Sequence, residues 1–521
     1  MNPFLMADFY KIGHPFQYPK GTNLVYANLT PRNSRIKGVD KMVFFGLQYF
    51  IKHYLIKYFN ENFFDLPKDE VMNSYRRRIL TSLGSDLPYY DHIANLHDLG
   101  YLPIEIKALP EGSKVKMRVP VLTVKNTHPE FYWLTNFIET IMSDIVWQPC
   151  TSATIAHEYR KLLNKFGEET GMHPDFIQWQ GHDFSFRGMS SFESAYTSAM
   201  GHLLSFTGTD TIPGIDALET YYNANADYEL IGGSVNATEH SVMCAGEKDS
   251  EYETYRRLIC DVYPKGIVSI VSDTWDLWFV LTQIIPQLKE AILNREGKVV
   301  IRPDSGDPVK ILTGYFKNEL TVIDGKYYRN TDVDAHDIDA TKLTLKAGAK
   351  EVGEAERKGV IEVLWDVFGG TITDKGYKLL DEHIGAIYGD SITLTRAEEI
   401  CQRLKDKGFA SQVVLGIGSY TYQYNTRDTF GTAMKSTYVE VNGEGREIFK
   451  SPATDDGTKK SARGLLKVVK DEDGEFVLVD QVSWEEEAEG ELTPVFKDGK
   501  LLVDQSLSEI RARLSEVVEV V

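Results

Sequence analysis

Between about residue 176 and residue 420 the chain repeats one texture: a short apolar run, a polar or glycine-containing break, then a stretch of helix length. The runs are Gly266-Ile-Val-Ser-Ile-Val-Ser-Asp273, Lys298-Val-Val-Ile-Arg-Pro-Asp304, Ile384-Gly-Ala-Ile-Tyr-Gly-Asp390 and Ser411-Gln-Val-Val-Leu-Gly-Ile-Gly418. Unbroken apolar runs rich in β-branched residues fit strands buried on both faces. The stretches 242–260, 274–295 and 395–407 read as helices. Strand, polar turn and helix in repetition predict a parallel α/β barrel or a doubly wound sheet. Three runs end in aspartate, at Asp273, Asp304 and Asp390. Strand C-termini face the ligand site in such folds, so the three carboxylates are expected in one mouth.

The flanks differ. Residues 42–51 form an apolar, helix-like run, and 104–124 alternate at period two around Pro110-Glu-Gly112, as paired strands do. Residues 130–168 read as two helices separated at Gln148-Pro149. Beyond residue 436, Asn442-Gly443, Asp473-Gly474 and Asp498-Gly499 sit between β-rich flanks, the pattern of hairpin turns, and a helix is expected at about 506–517. The stretch 314–358 is polar and irregular, with one hairpin signal at Asp324-Gly325, and reads as an insertion on the barrel. The expected organisation is residues 1–148 with 421–521 as one α+β domain, mostly antiparallel, and 149–420 as the α/β barrel.

A chain of 521 residues, 42% hydrophobic, can bury a large core. Its net charge of −19 argues against nonspecific nucleic-acid or anionic-membrane binding, so neither is expected as a partner. Any phosphate site must be built from local Arg and Lys. The four cysteines show no CxxC spacing, which fits a reduced cytoplasm and argues against a thiolate metal site. The N-terminus lacks the pattern of a signal peptide, and the most apolar stretches, 131–147 and 277–292, carry polar breaks that disfavour a membrane span.

Several strings could carry chemistry. Arg302-Pro-Asp304-Ser-Gly306 puts a guanidinium, a carboxylate and a flexible backbone at one strand end, as a sugar phosphate requires; a surface turn with an ion pair is the alternative. His182-Asp-Phe184-Ser-Phe-Arg187-Gly188 offers a ring to stack and an Arg beside glycine, or a structural turn. Asp210 could accept from an amide or cap a helix. Glu239-His240 could serve as base, nucleophile or metal ligand, although position 244 holds Cys where a second helix-spaced histidine would be needed. Gly416-Ile-Gly418-Ser419 is a turn able to cradle phosphate, with Arg427 and Lys435 downstream. Asp8-Phe-Tyr10-Lys11 is either a free terminus or a set of groups lent to a neighbouring subunit.

Together these strings resemble the nicotinamide phosphoribosyltransferase family over almost the whole chain. The ordered matches include Asp8-x-Tyr10-Lys11-x-x-His14, Phe45-Gly-Leu-Gln-Tyr49, Tyr132-Trp-Leu-Thr-Asn136, His182-Asp-Phe-x-x-Arg187-Gly188, Gly208-Thr-Asp210, Glu239-His240-Ser241, Ile301-Arg-Pro-Asp-Ser-Gly306, Gly389-Asp390 and Thr426-Arg427-Asp428. The resemblance implies an irregular type II phosphoribosyltransferase barrel with an attached antiparallel β domain. It also implies a cytoplasmic homodimer, with active sites at the subunit interface, that joins nicotinamide to phosphoribosyl pyrophosphate. Mg2+ is the implied cofactor and ATP the implied co-substrate. Carried over residue by residue, Arg187, His240 and Arg302 would meet the diphosphate, and Asp210 the carboxamide. Asp304 and Asp390, with Gly389 beside them, would bind the ribose. Asp273 would lie near the magnesium diphosphate. Gly418, Ser419, Arg427 and Lys435 would hold the 5′-phosphate, and Phe184 would stack on the pyridine ring against Tyr10 of a second subunit. His240 would also take a phosphoryl group from ATP.

Two departures stand out. Ser419-Tyr420 replaces glycines common in the family's turn, and the 314–358 insertion is absent from compact members. A nicotinate-specific relative is the main competing reading. Asp210 argues against it, since a carboxylate facing nicotinate would meet a like charge. A non-catalytic protein of this fold and a barrel glycosidase explain the set of Arg and Asp residues less well.

Overall fold

The computed structural model describes residues 1–84, 90–335, 343–389, 391–450 and 461–515. Seven short strands form a wholly parallel sheet: β1 Gly181–Asp183, β2 Gly208–Thr209, β3 Asn236–Ala237, β4 Val268–Val271, β5 Val299–Arg302, β6 Ile384–Tyr388 and β7 Val414–Ile417. Their order is β2-β1-β7-β6-β5-β4-β3. Residues 233–237 touch both edges: Gly233 bridges Gly208 of β2, and β3 pairs with Val268 and Ser269 of β4. The sheet thus curls into an irregular barrel. The four longer strands lie where the apolar runs predict them. The Asp390 end of the third lies outside the described residues.

A separate antiparallel sheet joins the two ends of the chain. Its order is Glu444–Glu447, Ala433–Val441, Thr22–Thr30, Leu122–Asn126, Ile104–Ala108, Thr493–Lys497, Lys500–Leu501. The hairpins at Asn442-Gly443, Asp473-Gly474 and Asp498-Gly499 form as predicted, with Asn442, Gly443, Gly474, Asp498 and Gly499 at positive φ.

Three expectations need correction. The stretch 242–260 is not one helix: His240–Ala245 ends at Gly246, Glu247 stands at φ 61°, and helix resumes at Glu251. The run 42–51 is not one helix: Lys41–Val43 is a strand paired with Lys114–Lys116, and helix begins at Leu47 after Gly46, whose φ of 99° breaks the run. The stretch around Pro149 is not two helices but one, Glu139–Thr170. Pro149 costs the helix a hydrogen bond, yet its ring is packed against the Cα of Gly46, where a Cβ would lie 2.4 Å from Pro149 Cγ. Cys150 Sγ and Thr154 Oγ1 then bond the backbone of Phe45 and Val43. Tertiary contacts therefore carry the helix through the proline. Its first half (Met142, Val146, Cys150) packs in the core beneath the antiparallel sheet, its second (Ala156, Tyr159, Leu163) in the barrel core.

The insertion closes on a narrow neck. Gly314 and Gly359 meet so closely that a Cβ on either would strike backbone at 2.2 Å. Arg403 then ties the start of the insertion to the barrel through a two-pronged bond to Glu319 at 2.8 Å and a bond to the Gly314 carbonyl.

Glu111 is the buried knot between the two ends and the barrel. Its carboxylate accepts from the Gly46 and Gln48 amides and from Tyr222 Oη, at 2.7, 2.5 and 2.9 Å. Burial pushes its pKa up to about 7 from an ordinary 4.5, although those hydrogen bonds offset part of the shift. The stability from this raised value is full below about pH 4.5 and lost as pH rises through 7. Glu111→Gln removes the titration. Urea unfolding across this window should show wild-type stability falling, relative to the variant, by on the order of 3 kcal/mol. A difference that stays flat would contradict the assignment.

Candidate active site

All seven strands are parallel, so their C-terminal ends share one rim. Residue Val271 of β4 lies opposite Arg302 of β5. Pro303 has no N–H to continue the ladder, and the chain turns there. The turn brings the Asp304 amide to Asp273 Oδ2 at 3.0 Å, and Ser305 Oγ donates to the same oxygen. The other oxygen, Asp273 Oδ1, is buried with no hydrogen-bond partner among the described residues. From the end of β3, His240 reaches across. Its Nε2 lies 3.9 Å from Asp273 Oδ1 and 3.7 Å from Asp304 Oδ2, while Nδ1 meets Thr274 Oγ1 at 3.0 Å.

Arg302 points into the barrel mouth, where its guanidinium donates to the Thr238 carbonyl and its Nε is buried with no partner among the described residues. Burial lowers its pKa, opposed by the charges of Asp304, Asp210 and Asp273. It stays cationic. Arg187, exposed on the turn after β1, lies within electrostatic reach of it. Below Arg302 the barrel encloses a cavity of about 340 Å3, lined on its polar side by His182, Asp210 and Ser234 and elsewhere by residues such as Val235, Ile387 and Val414. Phe184 borders it, half-buried, its ring 4.4 Å from that of His182. Asp210 Oδ1 accepts from His182 Nε2 at 2.8 Å and Ser234 Oγ at 2.6 Å. Burial raises the Asp210 pKa, but those bonds and the charges of His182 and Arg302 outweigh it and hold the pKa below the ordinary value. The carboxylate is therefore ionised at neutral pH.

The remaining rim residues are packed by close approach. Gly389, after β6, donates to the Pro303 carbonyl, and a Cβ there would lie 2.1 Å from Asp304 Oδ1. Gly418 and Ser419 follow β7, with Ser419 Oγ 2.0 Å from where a Cβ on Gly188 would stand, next to Arg187. Asp390 is outside the described residues.

Tyr10, Arg427 and Lys435 form a second group. Arg427 is among the charges acting on Tyr10, and both Arg427 and Glu139 act on Lys435. Tyr10 and Arg427 line a surface hollow of about 480 Å3 that also contains Glu139 and Trp147. Tyr10 is 60% exposed. It makes no contact with Phe184 within the chain among those described.

The rim also uses groups that pattern reading did not single out, Ser234 on Asp210, Thr274 on His240 and the Thr238 carbonyl on Arg302, while the Ser305 hydroxyl of the strand-end string bonds Asp273. Buried Asp183 fixes the turn that carries Phe184, accepting from the Ser185 amide and Oγ and from Thr209 Oγ1. Only the pair Gly232-Gly233 before Ser234 hinted at an unusual backbone there.

A family model described as the nicotinate phosphoribosyltransferase (NAPRTase) family matches residues 179–498, and one for the nicotinamide phosphoribosyltransferase N-terminal domain matches residues 2–106. A nicotinamide phosphoribosyltransferase of Acinetobacter baylyi is 52% identical over 531 residues, covering 100% of this chain and 98% of that protein. One from Mycoplasma pneumoniae is 34% identical, covering 88% of this chain and 94% of its own length. Among solved structures, a nicotinate-nucleotide pyrophosphorylase from Pyrococcus furiosus aligns with 99% of this chain and 95% of its own at a TM-score of 0.55 and 13% identity, a likeness of fold.

The contact between Gly389 and Asp304 yields a test. Gly389→Ala is expected to turn the exposed Asp304 carboxylate out of its place at a stability cost below about 1 kcal/mol, read by urea unfolding, because the atom in the way is the end of a flexible side chain. A larger loss would show that Asp304 cannot yield there.

Proposed function

The chain belongs to the nicotinate phosphoribosyltransferase family as a nicotinamide phosphoribosyltransferase, and from that premise we propose how its rim carries out the transfer and couples it to ATP. The substrates are nicotinamide and phosphoribosyl pyrophosphate, the products nicotinamide mononucleotide and pyrophosphate. The observation that carries the choice of base is Asp210: an ionised carboxylate, held by His182 and Ser234, inside the barrel cavity. It accepts from the carboxamide N–H2 and repels the carboxylate of nicotinate, a like-charge contact that disfavours the acid at a side chain 43% exposed.

Phosphoribosyl transfer breaks the C1–O bond to pyrophosphate and forms a bond from C1 to the pyridine nitrogen, through an oxocarbenium-like state. Arg302 and Arg187 meet the departing diphosphate charge, and His240 stands beside them. Asp304, with Asp390, holds the ribose hydroxyls, and the absence of a side chain at Gly389 leaves Asp304 its place. Phe184 and Tyr10 of the partner subunit clamp the base, which places the ring nitrogen for attack. Gly418, Ser419, Arg427 and Lys435 hold the 5′-phosphate. Within one chain Tyr10 packs on His14 and Phe184 on His182, with no ring contact between Tyr10 and Phe184 among the described residues, which supports a homodimer that brings Tyr10, Arg427 and Lys435 onto the rim of the other copy. For Mg2+, the unpartnered Asp273 Oδ1 is a suitable hard oxygen, and the described residues hold no cluster of three or more candidate ligands. This fits an ion carried largely by diphosphate and water, where it would neutralise the leaving group.

His240 Nε2 faces the rim, since Nδ1 is engaged by Thr274. In the proposed coupling, the γ-phosphoryl of ATP passes to this nitrogen: the P–O bond to ADP breaks, the P–N bond forms, and ADP leaves. The added charge beside Asp273 and Asp304 would favour binding of magnesium-bearing species there. No described helix is long and apolar enough to cross a membrane. We place the reaction in NAD salvage in the cytoplasm.

Two measurements test these assignments. Asp210→Ser should lower kcat/KM for nicotinamide by on the order of 10- to 100-fold, as loss of a charged hydrogen bond does, and narrow the preference over nicotinate. Unchanged selectivity in steady-state kinetics with both bases overturns the role of Asp210. ATP should raise the turnover of wild type but not of His240→Ala, with acid-labile 32P incorporated only in the former. Absence of label in wild type leaves His240 a diphosphate contact alone.

A further inference from the structure

A second cavity, of about 270 Å3, opens at the N-terminal ends of β1 and β2, where Gln178 and Thr207 precede those strands. Helix Glu139–Thr170 forms one wall and the C-terminal helix Leu507–Ser515 the other. One helix face supplies His157, Arg160 and Lys161, and Arg511 projects from the opposite wall. Among the described residues no Asp or Glu lines it, in a chain of net charge −19.

The cations are fixed by neutral groups. Arg511 donates to the carbonyls of Leu203, Leu230 and Ile231 at 2.8, 3.3 and 2.6 Å. Arg160 donates from Nε to Asn164 Oδ1 and from Nη1 to the Ser205 carbonyl. Such bonds orient a guanidinium without cancelling its charge. The nearest acids sit outside the lining: Glu158 pairs with half-exposed Lys161 at 2.9 Å, and Glu229 lies within reach of Arg511. Ser205 Oγ is buried with no partner among the described residues. His157 is 5% exposed; burial first, then repulsion from Lys114, Lys161 and Arg160, lowers its pKa to about 3. Burial likewise lowers Arg160, and Arg511 to about 10. Desolvated charge with only neutral partners is costly unless a counter-charge occupies the space between.

We propose that this cavity is a binding site for a phosphate-class oxyanion, either free phosphate or the phosphoryl group of a small molecule, held by Arg160, Arg511 and Lys161 with Ser205 as a hydroxyl donor. The site is separate from the rim, whose anion-binding groups are Arg187, Arg302 and His240, and it does not rest on the proposed reaction.

The full chain, freed of phosphate and sulfate, is crystallised and soaked in selenate, whose anomalous signal locates the anion. It is titrated in parallel with inorganic phosphate by calorimetry. The expected result is an anomalous peak between Arg160 and Arg511, and a binding isotherm component weakened at least tenfold in Arg160→Gln and in Lys161→Gln. Lys161→Gln alters only a half-exposed side chain, so it keeps the test available should Arg160→Gln fail to fold. A glucosamine 6-phosphate titration, compared with glucosamine, distinguishes a phosphoryl group from free phosphate. No peak in the cavity, or a peak whose loss in Lys161→Gln leaves the phosphate isotherm unchanged, overturns the proposal.

Discussion

The rim depends on one carboxylate, Asp273. It stands at the end of β4 and takes the Asp304 amide and the Ser305 hydroxyl on a single oxygen. Bonds of this kind to an ionised acceptor are worth about 1.5–3 kcal/mol each. They fix the turn after β5 that Pro303 begins. That turn sets Asp304 against the bare Cα of Gly389 and within 3.7 Å of His240. Arg302 leaves the same strand one residue before the proline and is steadied by the Thr238 carbonyl from the end of β3. Four strand ends are thus tied together by short polar contacts, with the second oxygen of Asp273 left over for chemistry.

The protein builds a phosphate-handling centre in a strongly acidic chain by confining its cations. Arg302 is surrounded by Asp210, Asp273 and Asp304, which keep it charged despite burial. Asp210 in turn is kept ionised by His182, Ser234 and that same arginine. Each charge stabilises the other, and in the proposed reading the cavity between them takes a base able to donate to a carboxylate. The amide-selective reading follows from this coupling more than from any single residue.

How much was legible in the sequence depended on element length. The strands at 268–271, 299–302, 384–388 and 414–417 have apolar runs long enough to announce themselves, and the Asn-Gly and Asp-Gly hairpins carry their turn chemistry in two residues. Strands of two or three residues, such as Gly208–Thr209 and Asn236–Ala237, leave no periodic signal, so the pattern left barrel and doubly wound sheet both open and the choice of barrel came from the family resemblance. Pro149 misled because its local cost is outweighed by contacts with Gly46 and Phe45, about 100 residues earlier. Charged residues of the site stood out by type and position. Their partners Ser234 and Thr274 did not, since a hydroxyl in a turn is ordinary until the fold shows what it holds. That Tyr10 packs on His14 and not on Phe184 within the chain is likewise a matter of three-dimensional placement.

The central claim is that the rim transfers a phosphoribosyl group and that its Asp210 selects the amide. The most direct measurement is chromatography of products formed by the purified wild-type protein with Mg2+ and phosphoribosyl pyrophosphate, supplied with nicotinamide or nicotinate in turn. The account predicts nicotinamide mononucleotide and pyrophosphate in equal amounts, with the nicotinate reaction slower by orders of magnitude. Comparable or faster turnover of nicotinate, or no nucleotide from either base, would contradict it.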